Sequence, residues 1–129
     1  MRAVFSDREL DVMSVLWQHG PSTVTDVRAE LRKRGVELAY NTVLTVLRIL
    51  EEKGHATHRL EGKSHRFYAL IDRGRAGQGV IARMLDTVFG GSAELLLTQL
   101  VRDRRVDAAG LKRLRQMLDE RLRGDGSAE

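Results

Sequence analysis

Residues 38–70, LAYNTVLTVLRILEEKGHATHRLEGKSHRFYAL, decide the fold of this chain. Their first part predicts a helix from about Tyr40 to Lys53, with Gly54 at its C-terminal stop. At 100° per residue, apolar positions share one side of this helix, and small polar residues with one arginine share the other. The inner side is predicted to hold Val43, Val46, Leu47 and Leu50, and the outer side Asn41, Thr45, Arg48 and Glu52. This division suits a helix in a DNA major groove, and it is equally typical of a surface helix with a solvated outer face.

The second part of the stretch changes from helical to alternating periodicity. Residues 55–61 and 64–70 read as two strands. Gly62-Lys63 between them suits a two-residue turn with Gly in the first central position. Arg59, Lys63 and Arg66 place positive charge at or near the tip of this hairpin. The stretch therefore predicts a helix followed by a basic hairpin.

Two further helices are predicted upstream. Ser6-Asp7-Arg8-Glu9 has the form of a capping box and starts a first helix, which Gly20-Pro21 ends. Thr23 is a plausible cap for a second helix, which Gly35 stops. Three helices followed by a basic hairpin is the order of a winged helix-turn-helix. The predicted fold class is mainly α with a small β-hairpin wing (α+β), and this order favours DNA binding.

The C-terminal part predicts a separate helical lobe. We expect a winged-helix domain over residues 1–71, a polar linker over 72–78, a three-helix domain over 79–123 and a disordered tail over 124–129. A lobe of about 45 residues rarely buries enough apolar surface to be stable alone. We therefore expect homodimerisation, against the alternative that the lobe packs back onto the first within one chain. The predicted interface consists of Val80, Ile81, Met84, Leu85, Val88, Phe89, Leu96, Leu100, Leu111, Leu114, Leu118 and Leu122.

Composition narrows the function classes. The chain has 129 residues, 22 Lys and Arg against 18 Asp and Glu, and a formal charge of +4. Residues 1–75 contain 13 basic and 10 acidic side chains, so most of the excess positive charge lies in the part of the sequence that contains the two-faced helix. The absence of cysteine excludes a disulfide frame, a thiolate metal site and a thiol redox switch. No signal core or membrane-spanning run is present, so we expect a soluble cytoplasmic protein without membrane insertion.

Several motifs in the chain resemble one known family. They are S-D-x-E-L-x-V-M-x-x-L-W from Ser6 to Trp17, G-P-S-T-V from Gly20 to Val24, and A-Y-N-T-V-x-T-V-L-x-x-L-x-x-K-G from Ala39 to Gly54. His58, Gly62, Lys63 and Tyr68 follow a related pattern, with Tyr68 one step beyond its usual spacing, and F-G-G-S begins at Phe89. The sequence is similar to the penicillinase-repressor family of winged-helix transcriptional repressors over nearly its whole length.

The resemblance implies a dimeric repressor on a pseudo-palindromic operator, and it also implies a mode of release. In the family, a membrane sensor-protease that detects β-lactams triggers cleavage of the C-terminal lobe. The corresponding segment here is Leu97-Thr98-Gln99-Leu100, so Thr98, Gln99 and Leu100 mark the expected cleavage region. The segment departs from the Asn-Phe pair of the family and is one residue longer. A copper-responsive branch uses cysteine pairs, which this chain lacks.

The predicted DNA-contacting residues lie on the third helix and the hairpin. Thr45 and Arg48 are expected near base edges, because Thr contacts bases or thymine methyl groups and Arg pairs with guanine or phosphate. Backbone phosphates are expected near the start of the helix, where free N–H groups favour anions. Leu44 is left between two alternatives, a thymine-methyl contact and a contact at the edge of the core. The full predicted set is Tyr40, Asn41, Thr42, Leu44, Thr45, Arg48, Arg59, Lys63 and Arg66.

Other functions find less support in the residues. In the predicted register His58 faces Phe67 and His65 faces Leu60, and no acid or cysteine completes a metal-ligand set with them, so no metal or other cofactor is expected. No nucleophile motif or Gly-rich phosphate loop occurs, so an enzyme is not expected. The main alternative to a repressor is a winged-helix adaptor that binds protein rather than specific DNA.

Overall fold

The architecture is mainly helical with one small sheet, in a computed structural model that describes residues 4–127. The helices are α1 (Asp7–His19), α2 (Val24–Lys33), α3 (Tyr40–Glu52), α4 (Arg73–Thr87), α5 (Ala93–Arg102) and α6 (Ala108–Ser127). The strands are β1 (Ser22–Thr23), β2 (Ala56–Glu61) and β3 (Ser64–Ala69), and they form an antiparallel sheet in the order β1-β3-β2. The predicted fold class, an α+β winged helix-turn-helix, is confirmed.

The first two helices both begin with a reciprocal capping box. The Ser6 hydroxyl accepts from the Glu9 N–H at 3.1 Å, and the Glu9 carboxylate accepts from the Ser6 N–H at 3.2 Å. Thr23 and Asp26 repeat the arrangement, with both distances 3.1 Å. The sequence predicts the Ser6 box, whereas it does not predict the return bond, in which the Thr23 N–H donates to the Asp26 carboxylate. Each box satisfies two N–H groups that have no partner within the helix.

The hydrophobic core confirms the inner face predicted for α3. Val43, Val46, Leu47 and Leu50 are buried, and they belong to one cluster with apolar residues of α1 and α2. Phe67 of β3 is also buried in this cluster. Fully burying a side chain such as Leu contributes about 1.5–3 kcal/mol. The core therefore holds α3 with its inner side down and presents its other side outward.

The wing follows the predicted register and gains a strand. His58 pairs with Phe67 across β2 and β3, and Gly62 (φ +62°) occupies the first position of a two-residue turn. The third strand, β1, pairs Ser22 with Phe67. Two residues of strand carry no periodicity, so the sequence did not predict β1. This strand joins the hairpin to the turn between α1 and α2.

The predicted linker is wrong, because α4 begins at Arg73 and includes most of it. Asp72 caps this start, since its carboxylate accepts from the Arg75 N–H at 2.7 Å. Ala76 is buried in the core, and Val80 packs against the same core. This burial outweighs the poor helix propensity of the glycines in α4. Val80, which is predicted at a dimer interface, is partly buried against the core of its own chain.

The predicted tail also differs from the structure. Residues 124–127 continue α6 up to Ser127, and an Arg121–Asp125 pair at 3.1 Å supports the last turns. Residues 128–129 of the predicted tail, like residues 1–3 of the first domain, lie outside the described residues.

The chain forms two compact units that divide within α4. The first ends at Ala82 and contains the hydrophobic core; the second begins at Arg83. In the described part of the second unit, from Arg83 to Gly126, no side chain is buried. No helix among the described residues is both long and apolar enough to cross a membrane.

Candidate nucleic-acid interface

The outer side of α3 is a polar row with one cation. Asn41, Thr45, Arg48 and Glu52 are all exposed, as predicted from their spacing. The Thr45 hydroxyl donates to the Asn41 carbonyl at 2.8 Å, so its oxygen can still accept a hydrogen bond from another group. Arg48 has no hydrogen bond or ion pair with any residue from 4 to 127. A guanidinium that has no partner among these described residues, on a helix held by its opposite side, can meet base edges or phosphate.

Leu44 lies behind this row. It is half-buried and packs against the hydrophobic core. This is the core-edge position considered from the sequence, and the thymine-methyl contact stays a prediction.

The start of α3 is built to leave backbone donors free. Its N-cap is Ala39, which provides no side-chain hydrogen bond, whereas α1, α2 and α5 are capped by Ser6, Thr23 and Ser92. Tyr40, Asn41 and Thr42 in the first turn are exposed, and the turn contains no acid. An uncapped helix start attracts anions through its N–H groups and its dipole.

Arg28 of α2 holds the loop that leads into this helix. Its Nε donates to the Leu38 carbonyl at 3.0 Å. The sequence did not predict this contact, because the two residues are ten positions apart and belong to no common periodicity. The bond fixes the chain just before the uncapped start of α3.

The three predicted wing cations have different surroundings. Lys63 is exposed in the turn and has no partner among the described residues. The Arg59 guanidinium lies over the Tyr68 ring, 5.2 Å from its centroid. Arg66 is engaged on several sides: Nε donates to Glu61 at 2.7 Å and Nη1 to the Pro21 carbonyl at 3.0 Å. The Arg66 guanidinium is therefore less available than the Lys63 ammonium and the Arg59 guanidinium.

Hydrogen bonding fixes the charges of the Arg66 cluster. Hydrogen bonds from Arg66 and then from Tyr68 hold the pKa of Glu61 below its ordinary value. The bond to Glu61 raises the pKa of Arg66, and the same carboxylate raises that of Tyr68. At neutral pH Glu61 and Arg66 carry opposite charges at short range. Arg59 and Lys63 therefore supply the positive charge that the wing presents.

The other face of the wing contacts α3. The His58 Nδ1 lies 2.6 Å from the nearer Glu51 carboxylate oxygen, which links β2 to the third helix. The centroids of the His58 and His65 rings lie 4.9 Å apart, edge to face. The two residues are diagonal neighbours on β2 and β3, and the predicted register, which names only directly opposed residues, did not indicate this contact. Among the described residues, no group of three or more His, Cys, Asp and Glu could hold a metal ion.

The remaining predicted residues lie on the last three helices. Thr98, Gln99 and Leu100 are inside α5, and the Thr98 hydroxyl donates to the Glu94 carbonyl at 2.8 Å. Leu85, Phe89, Leu96 and Leu111 are half-buried. The exposed residues of the predicted dimer interface are Ile81, Met84, Val88, Leu100, Leu114, Leu118 and Leu122.

Comparison with known proteins identifies the family. The model of the penicillinase repressor family matches residues 5–120. The chain belongs to the penicillinase repressor family. Its sequence is also 26% identical over 115 residues to the penicillinase repressor of Bacillus licheniformis, covering 89% of each chain. The family consists of DNA-binding transcriptional repressors and is connected with antibiotic resistance. The general role of this chain is therefore transcriptional repression.

Proposed function

We propose that this chain represses transcription by binding a pseudo-palindromic operator as a homodimer in the cytoplasm. The observation that carries this proposal is the exposed face of α3, where Asn41, Thr45 and Arg48 follow one another on a helix anchored by its buried side. Such a helix enters a major groove without disturbing the core that supports it.

Base and phosphate contacts are assigned to different parts of the surface. Thr45 and Arg48 lie at the centre of the row and are proposed to read base edges, with Asn41 beside them. Tyr40 and Thr42, at the uncapped helix start, are proposed to bind phosphate. On the wing, Arg59 and Lys63 are proposed to contact the backbone or the minor groove.

Dimerisation is supported by the exposed apolar surface of the second unit. Val88 is 74% exposed and Leu122 69% exposed in one chain. A monomer with these side chains in water would forgo about 25 cal/mol for each Å² of apolar surface left unburied. A second copy is the occupant that a two-fold operator requires, because paired heads bind half-sites one helical turn apart.

Release by proteolysis is the finer part of the proposal. Thr98, Gln99 and Leu100 lie inside α5, so a membrane sensor-protease must unwind this helix before it can cut. A cut there separates α6, with its exposed leucines, from the DNA-binding unit. The test is a variant with a site for a sequence-specific protease in this segment; cleavage is expected to produce monomers and to release DNA.

The proposal is tested by fluorescence polarisation with a duplex from the region upstream of the gene, over a series of salt concentrations. A DNA reader is expected to show a steep negative slope of log affinity against log salt. Arg48→Ala is expected to relax discrimination at one base position by about 1–3 kcal/mol. The matched control is Arg104→Ala, which removes the same charge from the exposed segment between α5 and α6. Weak binding with a flat salt slope would instead indicate a protein-binding adaptor.

A further inference from the structure

The strongest unexplained contact set on the molecule surrounds Arg66. This side chain was predicted as a DNA contact, yet its guanidinium is 2.7 Å from Glu61, 3.0 Å from the Pro21 carbonyl and 3.9 Å from Asp26. These three partners belong to the end of β2, the turn after α1 and the first turn of α2. One side chain therefore joins the wing to two parts of the helix-turn-helix.

The surrounding contacts reinforce this connection. Arg66 pairs with Thr23 in the β1–β3 ladder, and Thr23 shares a capping box with Asp26. On the wing side, the Glu61 carboxylate also accepts from the Tyr68 hydroxyl at 3.0 Å. Both carboxylate oxygens of Glu61 are thus occupied, and the Arg66 guanidinium is held by acceptors of the protein although the cluster lies at the surface.

We propose that Arg66 is a positioning residue, which sets the wing against the helix-turn-helix and does not itself contact phosphate. This inference rests on the proposed function. Glu61 immediately precedes the turn that carries Lys63, so an unpaired carboxylate there would repel the DNA backbone. By pairing with it, Arg66 both neutralises Glu61 and orients the tip. The positive charge that reaches DNA then comes from Lys63 and Arg59.

The substitution Glu61→Gln distinguishes this role from direct contact by the sign of its effect. If Arg66 bound phosphate, removing Glu61 would free the guanidinium, and DNA affinity and the salt slope would both increase. If Arg66 positions the wing, affinity falls by roughly five- to tenfold despite the gain in positive charge, because the charged hydrogen bond is lost. A rise in affinity with a steeper slope would overturn the proposal.

The salt dependence of binding provides the second test, with the full-length protein and the same upstream duplex. Lys63→Ala is expected to lower the salt slope by about 0.9, the value for one phosphate contact. Arg66→Ala is expected to weaken binding while lowering the slope by clearly less, because Lys63 and Arg59 remain in the chain to meet phosphate. A slope that falls as much for Arg66→Ala as for Lys63→Ala would contradict the positioning role while leaving the proposed function intact.

Two controls separate this inference from its premises. If the unmodified protein showed no salt-dependent binding to the duplex, the proposed function itself would be contradicted. Amide hydrogen exchange without DNA reads the wing directly: exchange in residues 61–66 is expected to be faster in Arg66→Ala and unchanged in Lys63→Ala. Equal exchange in the two variants would contradict the proposal, whatever their affinities.

Discussion

The ion pair between Glu9 and Lys53 joins the start of α1 to the end of α3. The Lys53 ammonium lies 2.9 and 3.0 Å from the two carboxylate oxygens of Glu9. Glu9 is only 6% exposed, and it also completes the capping box with Ser6. One buried carboxylate therefore serves a helix start and the helix that carries the proposed DNA-reading row.

Acid is expected to weaken this connection. Burial alone would raise the pKa of Glu9, but hydrogen bonds from Lys53 and Ser6 outweigh it and hold the pKa below the ordinary value of 4.5. A lowered pKa stabilises the folded state above the unfolded-state pKa, and this contribution is lost as the pH falls through the folded-state value. Urea unfolding from pH 7 to pH 3 should therefore show a steeper loss of stability in the unmodified protein than in Glu9→Gln. Equal pH dependence would contradict the assignment.

Removing the cation tests the same pair from its other end. Lys53→Ala leaves a buried carboxylate without its charged partner, at an expected cost of about 1–3 kcal/mol at neutral pH. Lys33→Ala is a suitable control, because Lys33 is exposed at the end of α2. Chemical denaturation measures both variants, and similar losses in the two would argue against a specific role for the pair.

Among the secondary-structure elements, the wing and α4 contain glycines that differ in backbone conformation. Gly62 has φ +62°, and a side chain there would meet no atom within 4 Å. Any penalty for a side chain at Gly62 is therefore one of backbone conformation. Gly77 lies within α4 and also has open space beside it, but its backbone is helical.

Alanine at these two positions is expected to change stability in opposite directions. Gly62→Ala should destabilise the fold by about 1–2 kcal/mol, because an L-residue is strained at positive φ. Gly77→Ala should stabilise it by about 0.5–1 kcal/mol through its higher helix propensity. Midpoints of urea unfolding provide the comparison. A loss of stability in Gly77→Ala would show that this part of α4 is not held as described.

For the whole molecule, the two units bury their apolar residues differently. The first unit buries a hydrophobic core among its own residues, whereas the second unit buries no side chain in its described part. A helix with an exposed apolar stripe is stable only when something covers that stripe. The folding of the second unit and the pairing of two DNA-binding heads are therefore expected to depend on the same association.

A single acid in the stripe of α6 is expected to separate the protomers. Leu118→Glu places a charge where Leu118 is 53% exposed in the single chain and buried in the proposed dimer. DNA affinity should fall by roughly two to four powers of ten, since two-headed binding is lost. Gln116→Glu adds the same charge on the opposite side of α6 and should leave the dimer intact. Analytical ultracentrifugation measures both, and a dimeric Leu118→Glu protein would contradict the proposed interface.

The sequence by itself determined the features that depend on local periodicity and capping. The two faces of α3, the Ser6 capping box and the register of the hairpin follow from side-chain spacing and turn chemistry, and the structure confirms each. The family motifs are local in the same sense. They span most of the chain, so the fold class could be predicted from them.

Only the tertiary structure decided which polar and apolar groups meet across the chain. Burial of Ala76 extended α4 through the predicted linker, and β1 forms because β3 offers it a partner. Arg66 and Arg48 have equal charge in the sequence, yet the fold surrounds Arg66 with acceptors and leaves Arg48 free of described partners. The physical reason is that side-chain availability depends on contacts between residues distant in sequence, which no local pattern encodes.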